Sequence, residues 1–347
     1  MFHPGIVERA MIQQLHVNNF GPLTEIAWKD LGAINLVLGC NGSGKTFLLK
    51  ALYAAMRVLE MHRRGNDITP LNKLLFEKLY WTFQVDKLGE LVAKNAEAPL
   101  AFKILLDDGR FAYSFGRETT RQIGNVHSTV PRREHNAVFL PAKEVLSLHH
   151  IILKSREQDA VFGFDDTYLD LARALMSPPT KGKNYKEFAT ARTDLEQLIG
   201  GKVVFDNTAN VWRYRKGNAQ FNIGVAAEGV KKVAILDTLL GNRYLSRQSV
   251  VFIDEPESAL HPAAISRFLD IVAALAQGGI QFFLSSHSYF VVKKLFLLAQ
   301  EKHLSIPVLS LEEEGSAMDD LLEGMPENAI INESIRLYEE EMDLALR

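Results

Sequence analysis

Residues 39–46 have the types and spacing of a loop that binds phosphate. They read GCNGSGKT and lie between an apolar run, residues 34–38, and a helix-like run that begins at Phe47. Glycines let successive backbone N–H groups converge on phosphate oxygens at a helix N-terminus. The Lys45 ammonium can reach the outer phosphates, and the Thr46 hydroxyl can ligate Mg²⁺. The residues expected to contact a nucleotide here are Gly39, Cys40, Asn41, Gly42, Ser43, Gly44, Lys45 and Thr46.

Two carboxylates follow a second apolar run. Residues 250–253 read VVFI and continue directly into Asp254 and Glu255. A continuous apolar run is typical of a central parallel strand, whose C-terminal end would face the phosphates. Asp254 is expected to hold Mg²⁺ through water, and Glu255 to orient and deprotonate the attacking water, as phosphoryl transfer to water requires. The alternative is an acidic turn closed by Pro256.

A histidine follows the next predicted strand. Residues 262–277 have helical spacing, and the apolar run 280–284 after them ends in Ser-Ser-His-Ser, with His287 as the third residue. A right-handed strand–helix–strand crossover would place His287 at the same sheet edge as Asp254 and Glu255. There it could bond the γ-phosphate or the attacking water. A strand-end histidine without such a role is the alternative.

A second helix start has the character of a phosphate site. Residues 226–229 read AAEG and open a helical run over residues 230–240. Free N–H groups at a helix start can bind phosphate, and Lys231 and Lys232 in the first turn would add positive charge. Ordinary helix capping is the alternative. The candidate nucleotide contacts here are Glu228 and Gly229.

The segments around these residues predict the strands that position them. Alternating segments at residues 12–20 and 25–28, on either side of Gly21-Pro22, predict a hairpin that leads into the phosphate-loop strand. Alternation at residues 101–106 and 110–115 predicts antiparallel strands that flank the nucleotide site.

A large insertion separates the two halves of the predicted site. Thr46 and Asp254 are 208 residues apart, far more than a minimal phosphate-loop enzyme needs. Between them lie a buried-strand signal at residues 137–141, helical periodicity over residues 145–199, and alternation over residues 203–223 that predicts a hairpin. The sequence therefore predicts an inserted helical lobe.

Charge is unevenly distributed along the chain. The 347 residues, 47% of them hydrophobic, suffice for one large or two modest domains. Residues 1–310 contain 37 basic and 30 acidic residues, whereas the rest contain 2 and 12. The tail could dock a partner, or it could be a solvated helix. Residues 117–136 contain four arginines and little apolar content, so a solvated loop and a nucleic-acid contact are both open there.

Cysteine usage and hydropathy indicate where in the cell the protein is expected. Cys40 is the one cysteine, so an intramolecular disulfide and a cysteine-clustered zinc site are excluded, which suits a reducing cytosol. No apolar run approaches a membrane span, and residues 1–12 lack the apolar segment of a signal peptide. We expect a cytoplasmic protein with no membrane contact.

Taken in chain order, the motifs GCNGSGKT, AAEG, VVFIDEPESALHP and FFLSSHS resemble those of the RecF/SMC-type ABC ATPases. The resemblance is strongest to the compact AAA-type ATP-binding proteins related to the OLD-family nucleases, through Asn41, residues 15–20 and DEPESALHP. It covers both ends of the chain well and the middle poorly. It implies an α/β fold: an ABC-type ATPase head with a RecA-like parallel-sheet core, an antiparallel β subdomain and an inserted helical lobe.

The same resemblance implies an organisation of the chain and of its assembly. The ATP-binding lobe would comprise residues 1–144 and 243–347, and the helical lobe with its hairpin residues 145–242. Two copies would sandwich ATP, with the phosphate loop of one facing the Gly229 helix start of the other. Residues 258–261 would join the two sites, and residues 139–144 would couple the core to the helical lobe, with Lys143 and Glu144 as alternatives for a metal-facing glutamine.

The function implied is that of an ATPase that uses ATP and Mg²⁺ and switches between one and two copies, or a higher oligomer. Lys45, Glu255 and His287 would be catalytic, and Thr46 and Asp254 would hold the metal. A separate effector chain is expected, in DNA maintenance or in defence against phage or plasmids. A RecF-like DNA-binding ATPase in recombination or repair is the alternative, and a transporter ATPase or a simple kinase fits less well. The family commonly has serine where Ala227 stands, so one contact to the γ-phosphate would be missing.

Overall fold

The computed structural model describes residues 12–107, 109–179, 184–312 and 315–346. Residues 1–11, which bear on the signal-peptide expectation, lie outside them. The strands are β1 (Ile12–Phe20), β2 (Leu23–Trp28), β3 (Ile34–Gly39), β4 (Leu100–Leu106), β5 (Gly109–Phe115), β6 (Asn125–Ser128), β7 (Ala137–Leu140), β8 (Lys202–Asp206), β9 (Val211–Lys216), β10 (Ala219–Asn222), β11 (Val250–Asp254), β12 (Gln281–Ser286), β13 (Pro307–Leu311) and β14 (Ser316–Asp320). The helices are α1 (Lys45–Met61), α2 (Leu71–Phe83), α3 (His149–Leu153), α4 (Asp166–Leu175), α5 (Lys186–Ile199), α6 (Glu228–Gly241), α7 (Pro262–Gln277), α8 (Tyr289–Lys302) and α9 (Ala329–Ala345).

A mixed sheet with the order β14-β13-β3-β12-β11-β7 forms the centre of the fold. All neighbouring strands are parallel except β13 and β14. Val251 and Ile253 of β11 belong to one hydrophobic core, and Val250 and Phe252 belong to another. Successive side chains of a strand point to opposite faces, so a strand covered on both faces must be apolar throughout. The prediction of a central parallel strand at β11 is confirmed.

An antiparallel sheet with the order β2-β1-β4-β5-β6 packs on the phosphate-loop side of the central sheet. The predicted hairpin and flanking strands are confirmed, with Val17 opposite both Ile26 and Phe102. β6 was not predicted, because it has a single apolar residue, Val126, and none of its residues is buried. Two of the nearby arginines bond to carbonyls of their own chain: Arg117 to that of Ala93 at 2.7 Å and Arg133 to that of Gln248 at 3.4 Å.

The insertion contains helices α3, α4 and α5, a π-helical turn at Lys154–Gln158, and a small sheet with the order β10-β9-β8. The predicted hairpin is present, with Tyr214 opposite Phe221. Helix α4 begins where the carboxylate of Asp165 accepts a hydrogen bond from the backbone N–H of Thr167 at 2.8 Å. The division of the chain at residues 144 and 242 stays a prediction.

The acidic C-terminal segment is partly folded into the core. Strand β13 lies beside β3 in the central sheet, and β14 pairs with β13. Helix α9 follows, capped by Asn328, and among its residues Ile331 alone is buried. None of the helices in the described part of the chain combines the length and hydropathy that crossing a bilayer requires.

Candidate active site

The phosphate loop connects β3 to α1 through backbone conformations that favour glycine. Gly44 precedes α1 with φ 98°, and Gly39 has φ 154°. A Cβ on Gly39 would lie 2.7 Å from the backbone carbonyl oxygen of Leu311, so no larger residue fits there without a shift of the backbone. No side chain caps the first turn of α1, and Ser43 Oγ is buried without a hydrogen-bond partner. Uncapped N–H groups and an unpaired hydroxyl fit an oxyanion held in this loop.

Lys45 lies over the loop and close to the strand-end carboxylates. Its Nζ donates hydrogen bonds to the carbonyls of Gly39 at 2.7 Å and Cys40 at 2.8 Å. Burial lowers the pKa of Lys45, and the nearby carboxylates of Glu255 and Asp254 offset part of that effect. The ammonium is therefore held where it can exchange loop carbonyls for phosphate oxygens.

Thr46 and Asp254 meet although the sequence separates them widely. Thr46 Oγ1 donates to both carboxylate oxygens of Asp254, at 2.9 Å each, and Ser285 Oγ donates to one of them. Hydroxyl and carboxylate oxygens are the hard ligands that suit Mg²⁺. The described residues contain no group of three His, Cys, Asp or Glu side chains that could hold a metal by itself. An ion at Thr46 and Asp254 would therefore take its other ligands from phosphate and water.

Glu255 and His287 lie side by side at the end of the central sheet. The register of β11 and β12 places Asp254 opposite Ser285, and His287 Nδ1 is 3.2 Å from a carboxylate oxygen of Glu255. Glu255 has φ 48°, and its N–H bonds to the carbonyl of Ser285 at 3.0 Å. The structure thus brings together the three side chains that the crossover argument placed at one edge. Their catalytic roles stay predictions.

Glu257 is a member of this cluster that the sequence argument missed. Its Oε1 accepts hydrogen bonds from Ser286 Oγ at 2.8 Å and from the backbone N–H of His287 at 3.2 Å. Its Oε2 is buried without a partner. The sequence did contain a signal for Glu257, because this residue is the third acid of the DEPE motif. Glu257 fixes the backbone that carries His287.

The start of α6 is exposed, but its lysines do not face outward. Ala227 precedes the helix, is exposed, and makes no side-chain capping bond. Lys231 is buried, and its Nζ binds Glu228 at 2.7 Å and lies 3.8 Å from Glu144. The expectation that Lys231 adds free charge to a phosphate site is therefore corrected: its ammonium is paired within its own chain.

The expectation that Lys232 adds positive charge to a phosphate site is also corrected. Its Nζ donates to Ser258 Oγ at 2.7 Å, to the backbone carbonyl of Asp254 at 3.2 Å and to that of Glu255. Burial lowers the pKa of Lys232 to about 8, with the carboxylates of Glu257, Asp254 and Glu255 opposing the shift. Lys232 therefore ties helix α6 to the turn that carries Glu255.

Residues 258–261 connect three parts of the site. Ser258 Oγ donates to the carbonyl of Ala142 at 3.0 Å, in the segment expected to couple the core to the helical lobe. A Cβ on Gly229 would lie 2.7 Å from the carbonyl oxygen of Ala259, so the start of α6 packs closely on this loop. In the coupling segment Lys143 is exposed, whereas Glu144 accepts a hydrogen bond from the backbone N–H of Ser147.

Residues 34–293, more than half of the chain, match the family described as "AAA domain, putative AbiEii toxin, Type IV TA system". The chain belongs to this family. The match spans the phosphate loop, the start of α6, β11 and His287, which are the motifs that suggested an AAA-type relative of the SMC proteins. No curated protein matches the sequence.

Solved structures similar to this AbiEii-type AAA protein include Smc head domains. One is an Smc head bound to the C-terminal winged-helix domain of ScpA, with a TM-score of 0.52, 11% identity, and coverage of 90% of this chain and 98% of that one. Another is an Smc head with an extended coiled coil bound to the C-terminal domain of ScpA, from Pyrococcus furiosus, with a TM-score of 0.50, 12% identity, and coverage of 96% and 99%. The similarity confirms the predicted ABC-type ATPase head. The chain has the fold of a nucleotide-binding ATPase.

Replacing Lys232 by methionine in this AbiEii-type AAA protein tests whether the lysine positions Glu255. We expect ATP turnover to fall at least about tenfold, because two strand-end carbonyls and the Ser258 hydroxyl lose their buried donor, at a cost of about 1–3 kcal/mol. ATP binding should change little, since Lys232 does not contact the phosphate loop. Phosphate release and equilibrium ATP binding measure the two effects separately.

Lys231→Met is the matched control for this variant. It removes an ammonium one residue away that is equally buried but binds Glu228 instead of the strand end. Equal losses of turnover in both variants would show a general effect on α6 and would contradict the positioning role of Lys232.

Proposed function

We propose that this AbiEii-type AAA protein is a Mg²⁺-dependent ATPase in which two copies close around ATP and separate after hydrolysis. One observation carries the proposal: Thr46, Asp254, Glu255 and His287 come together at one edge of the central sheet, beside the phosphate loop. A bound triphosphate in that loop would place its terminal phosphate among a metal site, a carboxylate and an imidazole. That combination suits attack of water on phosphorus.

Each side chain of the cluster has a separate task in this proposal. Lys45 binds the outer phosphates, and Thr46 and Asp254 hold Mg²⁺, which when bound neutralises charge on the phosphate oxygens. Glu255 orients the attacking water and accepts its proton. His287, 3.2 Å from Glu255, donates a hydrogen bond to the γ-phosphate or keeps the water in line.

The proposed second copy would complete the site through the start of α6. Helix α6 begins at an exposed residue without a side-chain cap, so its first N–H groups are open to a phosphate of a neighbouring copy. The close packing of Gly229 on the 258–261 loop supports a path from this helix start to the copy's own Glu255. Ala227 lacks the hydroxyl of the family's usual serine, and one charge-assisted hydrogen bond is worth about 1.5–3 kcal/mol. We therefore expect slow hydrolysis, or hydrolysis that depends on a partner.

Mixing two inactive variants tests the shared site. Lys45→Ala removes the phosphate-loop cation, and Ala227→Trp places a bulky side chain at the exposed start of α6; neither should hydrolyse ATP alone. An equal mixture should regain about a quarter of the parent rate, since half of the dimers are mixed and each mixed dimer contains one intact site. Phosphate release by the separate and mixed variants is the measurement.

Gln220→Trp is the control for the bulky substitution, because Gln220 is exposed on β10 and is not among the residues assigned to the shared site. It should keep parent activity, which would show that a bulky exposed side chain does not by itself stop turnover. Either of two results would refute the two-copy site: an Ala227→Trp variant as active as the parent, or a mixture of Lys45→Ala and Ala227→Trp that stays as inactive as each variant alone.

We further propose that the nucleotide cycle acts in the cytoplasm on a separate effector chain, in DNA maintenance or in defence against phage or plasmids. Both Smc heads named above are bound to a domain of another protein, ScpA, which supports the idea of a partner. Glu255→Gln held with ATP in cells should copurify with one chain at a fixed ratio, and Lys45→Ala should not. ATPase stimulation by duplex DNA, with a steep salt dependence, would instead favour the RecF-like alternative.

A further inference from the structure

We propose that a second site, separate from the phosphate loop, binds a small molecule through an oxyanion, a phosphate or a carboxylate. A cavity of about 420 Å³ lies between α1, α2, α4 and the π-helical turn. The lining side chains that carry the argument are Arg57, Lys78, Trp81, Arg156, Asp166 and Asp170. We call this cavity the Arg156 pocket.

Arg156 supplies donors that no group in the described part of its own chain uses. Its side chain is 4% exposed, its Nη2 binds Asp166, and its guanidinium lies 3.5 Å from the centre of the Trp81 ring. Its Nε and Nη1 are buried without hydrogen-bond partners. A guanidinium stays charged at every relevant pH, and a buried donor without an acceptor costs about 1–3 kcal/mol. These two N–H groups are therefore open to the acceptor oxygens of a ligand.

Asp170 cannot supply those acceptors, because other groups already bind it, and Glu77, a further carboxylate of the lining, is exposed. Asp170 accepts hydrogen bonds from Tyr53 at 2.7 Å, Lys78 at 2.8 Å and Arg57 at 3.4 Å. Burial alone would raise the pKa of Asp170, but Lys78 and Arg57 hold it well below its usual range.

The charges of the pocket are already paired with one another, so the open donors of Arg156 are what favours an anion. Lys78 bridges Asp170 and Asp166, and Asp166 also binds Arg156. Arg57 pairs with Asp170 and, at 2.7 Å, with Glu60. An oxyanion would supply the acceptors that Nε and Nη1 of Arg156 lack.

The Arg156 pocket is distant from the phosphate loop but connected to it through α1. Arg57 follows Lys45 by 12 residues on this helix, which corresponds to about 18 Å. Nearer the loop, Lys50 of α1 binds Asp165 at the start of α4 at 2.6 Å. A ligand in the pocket would therefore join the insertion to the helix that carries the phosphate loop, and we expect it to change the rate of ATP turnover.

Calorimetric titration in a Lys45→Ala background tests the pocket, because that change removes the main phosphate-binding cation of the other site. The probes are inorganic phosphate, AMP and succinate. We expect one-to-one binding of at least one probe, weakened about tenfold or more by Arg156→Gln. Arg173→Gln, on the exposed rim where Arg173 pairs with Glu157, should change the affinity less than about threefold. Binding of phosphate and AMP alone would identify a phosphorylated ligand, and binding of succinate alone a carboxylate.

If Arg156→Gln fails to fold, hydrogen exchange of the Lys45→Ala protein, which keeps Arg156, provides a second test. The binding probe should protect the amides of the Lys154–Gln158 turn and of the first turn of α4. Protection confined to the phosphate loop would overturn the proposal. So would a lack of binding of all three probes at about 10 mM, which would mean that water satisfies Arg156.

Discussion

Glu255→Gln should bind ATP and accumulate as a two-copy complex, while ATP turnover falls by about 10²–10⁴-fold. Glutamine has the size of glutamate and can still accept a hydrogen bond from His287, which lies 3.2 Å from the carboxylate. It cannot accept the proton of the attacking water, so binding and closure should survive while the chemical step stops. The left-handed backbone at this position, with φ 48°, is as accessible to glutamine as to glutamate.

Glu257→Gln is the matched control, since the same chemical change is made two residues further along. Glu257 bonds Ser286 and the backbone of His287 through one oxygen, which a glutamine carbonyl can replace. This variant should keep most of its turnover. Phosphate release gives the rate, and light scattering with and without ATP gives the mass. If Glu255→Gln turns over ATP like the parent, Glu255 is not the base.

The parts of the site that could be predicted are those that depend on residues close together in the sequence. β3, β11 and β12 are buried on both faces, so each is rich in apolar residues, and the residues that follow such a strand lie at the sheet edge. Glu255 and His287 could therefore be placed together although about 30 residues separate them. The loop at residues 39–46 could be recognised because its glycines and Lys45 lie within one short segment of the sequence.

The parts that could not be predicted depend on contacts between distant residues. The sequence of an apolar helix does not show which way a lysine side chain on it points. Lys232 is buried because the backbone carbonyls of Asp254 and Glu255 and the hydroxyl of Ser258 accept its three hydrogen bonds. Lys78 and Asp166 are 88 residues apart, so no local pattern announces the Arg156 pocket. Strand β13 is five residues long, and its place beside β3 is set by the sheet and not by its own pattern.

Lys45→Ala should raise the dissociation constant for ATP by about 100-fold or more. The Lys45 ammonium is buried beside the phosphate loop and donates two short hydrogen bonds to loop carbonyls, which phosphate oxygens can replace. Charge-assisted bonds of this kind are worth about 1.5–3 kcal/mol each, and two of them account for a change of this size. Because burial lowers the pKa of Lys45, the free protein holds the charged ammonium at a cost that a bound triphosphate would relieve. Loss of affinity should therefore exceed any loss of folding stability.

Cys40→Ser is the matched control for Lys45→Ala, because it changes a side chain in the same loop that is exposed. If the loop binds phosphate through its backbone N–H groups and Lys45, Cys40→Ser should bind ATP with the affinity of the parent. Equilibrium titration with a fluorescent ATP analogue and thermal unfolding of the three proteins measure affinity and stability separately. A Lys45→Ala variant that retains parent affinity would place the triphosphate outside this loop, and the tasks assigned to Thr46, Asp254 and Glu255 would fail with it.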